Sequence, residues 1–364
     1  MIRWRKGRVE RVRREWPGSV ELEVAVDGEP GRDGEIVRAL AYPALVGRPE
    51  PGDAVLLNTT ALALGLGTGG YAMVVAVPDR LPPDPSGPGH LVKARYTPLQ
   101  ATVLGADEQD SPHHELLRDA DSLDGMPVIV ADLHSALPPI LAGLLAARPG
   151  TRVVYVMPDG GALPAWFSMA IGQLKAAGAL AATVTVGQAF GGDLEAVTVH
   201  TGLLAARLVL DAEVVVLAQG PGNLGTGTRW GFSGVSAGEA VNAAAVLSGR
   251  PVASLRVSEG DKRERHVGVS HHSLTAYGRV ALARAQVVVP DLPGEFGERV
   301  ARQAGTLADR HELVRVPVDG LADELRTAER DWGVRLSTMG RRLDEDLAYF
   351  LAAAAAGRHT ASLL

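Results

Sequence analysis

Residues 126–147 read MPVIVADLHSALPPILAGLLAA, and this stretch decides the fold. Val128–Ala131 is an unbroken apolar run of strand length, the pattern of a strand covered on both faces. Asp132, His134 and Ser135 interrupt it. Pro138-Pro139 then opens a second apolar run, where paired prolines fit only the first turn of a helix. Strand, polar bend and helix together make one βα unit.

The same alternation continues downstream. Further strands are expected at Arg152–Met157, Thr183–Val186, Ala196–Val199, Val214–Ala218, Val252–Val257, Gln286–Val289 and Leu313–Val316. Helices are expected at Pro138–Ala147, Pro164–Ala177, Gly202–Leu210, Ala237–Leu247, Leu274–Ala285 and Glu295–Leu307. Ser236-Ala237-Gly238-Glu239 has the form of a capping box. Such alternation specifies an α/β domain with a mostly parallel, doubly wound sheet. The gap Gly187–Leu194 is too short for a helical crossover, so a hairpin or edge irregularity is expected there.

Upstream the period is two. Val20, Leu22, Val24 and Val26 alternate with less apolar neighbours and run into Asp27-Gly28, a turn pair. Ala54–Leu57 and Tyr71–Val77 follow Gly/Pro turns. This part reads as a small antiparallel β-barrel-like domain. Pro78–His90 holds five prolines and two glycines and reads as a rigid linker. The expected organisation is a barrel-like domain over 1–105, a connection over 106–125, the α/β domain over 126–330 and a C-terminal helical extension over 331–364.

Composition fits this plan. Of 364 residues 46% are hydrophobic but only 4% aromatic, so Ala, Val and Leu must fill the core. Glycine (43) and proline (23) are abundant without a period, which excludes collagen-like repeats and implies glycine-built loops. Cysteine is absent, which removes disulfides, thiolate metal sites and cysteine nucleophiles together. A net charge of −6 disfavours a nucleic-acid partner, although Arg3, Arg5, Lys6, Arg8, Arg11, Arg13 and Arg14 cluster at the start. No apolar run follows them as in a signal peptide, and the runs near 136–147 and 351–356 are too short to span a bilayer. The expectation is a soluble, cytoplasmic protein with no membrane partner, open to homo-oligomerisation.

In a parallel sheet, ligands bind outside the carboxyl ends of the strands. Asp132, His134 and Ser135 follow the first strand, and Asp159-Gly160-Gly161 the second. His200 and Thr201 follow the fourth. The loop Gly220-Pro221-Gly222-Asn223-Leu224-Gly225-Thr226-Gly227-Thr228 follows the fifth. It contains a GxGxxG match, but Gly227, Gly231 and Gly234 delay the next helix to about Ser236, so it is a weak dinucleotide fingerprint. The remaining readings are backbone donors for an anion, helped by Thr226 and Thr228, or a purely structural loop.

The sixth strand leads into RVSEGDKRERHVGVSHHSLT, residues 256–275. Arg256, Arg263 and Arg265 suit a phosphate or carboxylate, and Ser258 adds a hydroxyl. His266, His271 and His272 offer proton carriers or metal ligands, and a helix starting near Ser273 would aim its N–H groups at the same place. Glu259, Asp261 and Glu264 balance much of the charge, as they would in a solvated loop. Asp132-x-His134 is either acid–base equipment or half of a site for a divalent metal completed by the later histidines.

The Gly220–Thr228 loop, Gly191-Gly192-Asp193 and the run from Arg256 through His266 to Thr275 together resemble a family of Gram-positive bacterial proteins grouped as a domain of unknown function. The resemblance extends over most of the chain, the β region included, and implies no particular reaction.

The residue chemistry itself points to a transferase or hydrolase acting on a small anionic, phosphorylated or carboxylated metabolite. Gly220, Gly222, Gly225, Thr226, Gly227, Thr228, Arg256, Ser258, Arg263, Arg265 and His272 would bind it. His271, His266, His134 and Asp132 would act on it. An anion is expected where the glycine loop meets Arg263 and Arg265. The alternative is a regulatory module that binds a nucleotide-like ligand without turnover.

Overall fold

The computed structural model describes residues 1–27, 34–66 and 69–364, so Gly28 of the expected Asp27-Gly28 turn lies outside the described residues. The chain forms two compact units, Met1–Gly87 and Pro88–Leu364.

The first unit is a closed barrel. Its strands are β1 (Trp4–Trp16), β2 (Ser19–Val26), β3 (Glu35–Ala41), β4 (Ala54–Asn58) and β5 (Ala72–Ala76), with single helical turns α1 (Pro43–Val46) and α2 (Thr60–Ala63). The order is β1-β2-β3-β5-β4, closed by β1 against β4, and the β3–β5 pair is parallel. One long strand can pair on both sides because bulges between Val9 and Arg11 and between Val12 and Arg14 bend it. Val20, Leu22, Val24, Ala39, Val55, Leu57 and Val74 fill the interior, as their alternation requires. Three cations of the basic strand are paired: Arg11 and Arg13 with Glu23, and Arg14 with the buried Glu21.

The second unit begins with a hairpin, β6 (Leu91–Lys93) and β7 (Ala101–Val103), and the turn α3 (His114–Leu117). The structural division thus falls before this hairpin, earlier than the boundary at 105 expected from sequence. Lys93 explains the attachment. Its buried ammonium donates to the carbonyls of Gly187 and Ala189, both at 2.8 Å, and faces Glu195 at 3.3 Å.

The sheet has eight strands: β8 (Pro127–Ala131), β9 (Val153–Met157), β10 (Ala182–Val186), β11 (Leu194–Ala196), β12 (Val214–Ala218), β13 (Arg250–Ser254), β16 (Gln286–Asp291) and β17 (Glu312–Pro317). Their order is β11-β10-β9-β12-β8-β13-β16-β17 and every pairing is parallel. A minor hairpin of β14 (Val257–Ser258) and β15 (Gly268–Val269) follows β13. Every residue of β8, β9, β10 and β12 is buried, which is why β8, β9 and β12 read as nearly unbroken apolar runs; in β10 the buried Thr183 and Thr185 hydroxyls donate to Asp193 and Glu195.

The helices are α4 (Leu137–Ala147), α5 (Met169–Ala176), α6 (Val199–Leu208), α7 (Ser236–Val246), α8 (His271–Thr275) running into a π-helical turn at Ala276–Val280, α9 (Gly294–Gly305), α10 (Leu321–Trp332) and α11 (Leu347–Ala361).

Several local expectations need correction. For the short Gly187–Leu194 gap the edge irregularity forms and the hairpin does not: it carries the chain, without a helix, to β11, parallel to β10 at the sheet edge. The fourth strand ends at Ala196, because Thr198 caps α6 by accepting from the Thr201 amide, and His200 and Thr201 lie inside that helix. The capping box at Ser236 does not form. A 3-10 turn at Ser233–Val235 starts the helix earlier, and Ser236 Oγ donates to the Ser233 carbonyl at 3.1 Å.

The largest difference is at the C-terminus. Residues 331–364 are no extension: after a small hairpin, β18 (Ser337–Thr338) and β19 (Arg341–Arg342), α11 buries its whole alanine run. It crosses α4 so closely that a Cβ on Gly143 would lie 2.0 Å from the Ala354 carbonyl oxygen, and one on Gly357 2.0 Å from that of Ile140.

Candidate functional site

The connection leaving β8 runs past β12 to β9, whereas those leaving β12 and β13 run the opposite way along the sheet. Right-handed crossovers then put the helix after β8 on one face and those after β12 and β13 on the other. Such a switch point leaves a crevice at the carboxyl end of β8. Loops from β9 and β12 close together beside it. A Cβ on Gly161 would lie 2.2 Å from the Gly220 carbonyl oxygen, and the Ala162 amide donates to Pro221.

Asp132 is the first residue beyond β8 and only 3% exposed. Its Oδ2 has no protein partner. Burial raises its pKa, opposed by the nearby Arg256 guanidinium. Gln219, the first residue beyond β12, donates from Nε2 to the Asp132 carbonyl (2.7 Å) and to Asn223 Oδ1 (2.9 Å), while its Oε1 is left unpartnered.

The loop beyond β13 brings the imidazoles together. One ring nitrogen from each of His266, His271 and His272 lies within 4.8 Å of those of the other two. Ser270 caps α8 by accepting from the His272 amide, and its Oγ is 2.7 Å from His266 Nδ1. The helix therefore begins at His271, before the expected Ser273. Arg256, 3% exposed, reaches His272 Nδ1 with Nη1 at 3.3 Å. Its Nη2 makes no hydrogen bond and stands 3.8 Å from Asp261. His271 Nε2 is likewise buried and unpartnered.

All three rings are held neutral. Burial first, then Arg256, pushes His266 down to about 3 and His272 down to about 2. His271 is lowered by burial and then by Arg265 and Arg256.

The glycine loop is a self-contained exposed hairpin. Thr226 bonds the Gly231 carbonyl through its amide (2.7 Å) and hydroxyl (3.2 Å), and Thr228 Oγ1 accepts from the Gly231 amide. The two threonine hydroxyls are thus engaged within the loop, and Gly220–Thr228 does not open a helix. Gly222 (φ 91°) and Gly227 (φ 80°) hold backbone angles that favour glycine.

Phe232 fastens the hairpin to the cluster, stacking on His272 with ring centres 3.8 Å apart and meeting His271 edge-on. At the tip, Arg265 Nη2 lies 3.8 Å from where a Cβ on Gly227 would be, so this pair does meet. Arg263 is differently placed. Its fork grips Asp261 through Nε (2.9 Å) and Nη2 (2.8 Å), and this bond holds the Asp261 carboxyl well below the usual carboxylate range. Arg263 therefore braces the loop.

His134 stands apart from the other histidines. Tyr155 Oη donates to the carbonyls of Ala218 (2.9 Å) and Gln219 (3.0 Å), so it accepts from His134 Nδ1 at 3.0 Å. His134 Nε2 takes the proton of Ser168 Oγ at 2.7 Å, while that oxygen caps α5. Both ring nitrogens are occupied, and burial pushes the ring down to about 4. The expected metal half-site with Asp132 is absent from the described geometry, because neither residue joins the imidazole group. Tyr155→Phe would strip His134 and two carbonyls of a partner. The expected loss is about 1–3 kcal/mol in urea unfolding. An unchanged midpoint would mean that His134 is held some other way.

Sequence reasoning missed the C-terminal clamp. Asp346 accepts from Ser258 Oγ (2.6 Å), the amides of Glu259 and Gly260, and Arg341 Nε (2.9 Å). Ser258 is therefore a structural partner of Asp346. Phe232 was also missed, although an aromatic inside a glycine-rich loop of an aromatic-poor chain was a usable signal. A separate groove of about 830 Å³, lined by Arg152, Lys175, Asp323 and Trp332 among others, opens near the amino ends of β9 and β10, and no sequence-predicted site residue lines it.

The chain belongs to the family described as protein of unknown function DUF3866, whose model matches residues 38–357. No curated protein and no solved structure matches it.

Proposed function

We propose that this protein is an enzyme, a hydrolase or transferase, that acts on a small anionic metabolite bound at the carboxyl ends of β8, β12 and β13. One observation carries the reading. Asp132 Oδ2, Gln219 Oε1, Arg256 Nη2 and His271 Nε2 are buried polar atoms without a hydrogen-bond partner among the described residues, Arg256 Nη2 having only the Asp261 carboxylate at 3.8 Å, and they come from the segments after these three strands. Each orphaned group costs roughly 1–3 kcal/mol. Four of them beyond the carboxyl ends of three adjacent strands are accounted for by a ligand with anionic oxygens at one end and a hydroxyl or amine at the other.

Arg256 anchors the anion, and Asp132 and Gln219 accept from the hydroxyl or amine. His271, neutral and unpartnered, takes a proton from the attacking water or hydroxyl and returns it to the leaving group. The Phe232 hairpin covers the reacting centre.

A turnover screen of phosphorylated and carboxylated metabolites tests this. His271→Ala is expected to lower kcat by about 10²–10⁴-fold with little change in KM. Arg256→Gln is expected to raise KM by about tenfold to a hundredfold. Full turnover in His271→Ala would remove the proposed chemistry. Saturable binding without any turnover would favour a regulatory binding module instead.

A further inference from the structure

We infer that the clustered imidazoles divide their labour: His266 and His272 are fixed N–H donors that, with Arg256, form a hole for the tetrahedral oxyanion of a phosphoryl group, and His271 alone moves a proton. This rests on the active-site reading above and narrows its substrate class.

The proton positions follow from the partners. A guanidinium has donors only, so in the Arg256–His272 contact at 3.3 Å the imidazole Nδ1 must accept. A neutral ring that accepts at Nδ1 carries its proton on Nε2. Ser270 is fully buried, and its oxygen already accepts from the His272 amide. Its own proton needs an acceptor, and among its hydrogen bonds only His266 Nδ1, at 2.7 Å, can take it. His266 is then also an Nε2–H tautomer.

His271 differs from both. No hydrogen bond from a described residue reaches either of its ring nitrogens, and its Nε2 is the buried orphan.

This arrangement decides between the two ligands such a trio could take. A divalent metal needs imidazole lone pairs. Here the nitrogens left over on His266 and His272 carry protons; moving them would set His272 Nδ1–H against the Arg256 donor and leave the buried Ser270 proton without an acceptor. The guanidinium of Arg256 would also repel a dication. An oxyanion meets the opposite situation. Arg256 Nη2, buried and without a hydrogen bond, and two N–H groups on rings standing at 87° to each other supply donors in different planes, which suits a group with three terminal oxygens.

Imidazole nitrogen NMR on uniformly ¹⁵N-labelled protein tests the proton positions. Titration with inorganic phosphate, acetate and Zn²⁺ tests the ligand. His266 and His272 should appear as neutral Nε2–H tautomers at neutral pH, with His271 the first of the three to gain a proton on acidification. Phosphate should bind saturably, more tightly than acetate, and shift the Nε2 signals of His266 and His272. Arg256→Gln should weaken phosphate binding by about tenfold or more. If that variant fails to fold, the wild-type spectra and the phosphate–acetate comparison decide.

An Nδ1–H tautomer at His266 or His272 overturns the proposal. So does stoichiometric Zn²⁺ binding lost in His271→Ala, or phosphate binding that is absent or no tighter than acetate. Failure here is separable from failure of the active site. Turnover that requires His271 but shows no phosphate binding leaves the enzyme reading intact and removes only the oxyanion class.

Discussion

Phe350→Ala is expected to cost about 3–5 kcal/mol and Gly143→Ala about 1–3 kcal/mol in urea unfolding. Phe350 is fully buried on α11, and Ala352–Ala356 beside it are almost as enclosed. The alanines leave little side chain between the helices. Gly143 and Gly357 remove it altogether where α11 and α4 cross, each facing a carbonyl oxygen of the other helix. A methyl added at Gly143 would meet backbone, which cannot rotate away as a side chain can, so the helices must separate along their contact. Against a typical total stability of about 5–15 kcal/mol, the Phe350 cavity alone would leave a marginal protein. Arg302→Ala, on the exposed face of α9, serves as control and should stay within about 0.5 kcal/mol of wild type. A loss below about 1 kcal/mol in Phe350→Ala would mean that α11 is the dispensable extension its position suggests.

That reading failed for a physical reason. An alanine run has weak amphipathic contrast, and burial of small residues on every side depends on what packs around them. The sheet was legible because strands covered on both faces are mostly apolar. β8, β9 and β12 begin within a residue of their expected starts. β11 was misplaced because Val197 and Val199 continue its apolar pattern, and only the Thr198 cap tells the chain to turn. In the barrel, alternation marked β2, but closure by β1 on β4 and the parallel β3–β5 pair depend on long-range register that no local pattern states.

The candidate site was legible as far as topology reaches. A parallel sheet carries every strand-end residue to one edge, so Asp132, Arg256 and the paired histidines could be placed there before any side chain was known. What could not be read was which of these groups already had partners. Arg263 looked like an anion clamp until Asp261 took its fork, and His134 looked like a catalytic base until Tyr155 and Ser168 took both its nitrogens. Thr226 and Thr228 face each other and Gly231. The unpartnered atoms are what remains after these bonds form, and that remainder is a tertiary property.

The same buried imidazoles should make the protein acid-sensitive in a defined window. In the unfolded chain a histidine titrates near 6.5. In the folded protein His134 is pushed down to about 4, His266 to about 3 and His272 to about 2, in each case first by burial. Between these limits the unfolded state binds more protons than the folded one, so stability rises with pH and falls on acidification. Above about 6.5 the penalty is absent. Below it each ring should cost on the order of 1.4 kcal/mol per pH unit until its folded value is reached, so three together set an upper bound of about 4 kcal/mol per unit. Asp261 does not contribute in this window. Its depressed carboxyl stabilises the fold at every pH above the ordinary carboxylate range, and that contribution is lost only at lower pH. Asp132 and Glu195, whose carboxyl pKa values burial raises, oppose part of this loss by taking up protons in the folded state. Urea midpoints at pH about 7, 6 and 5 should therefore drop most across the last interval, by less than that bound. Equal midpoints at all three would mean that the folded protein accepts protons on these rings, and the neutral tautomers assigned to His266 and His272 would fall with that result.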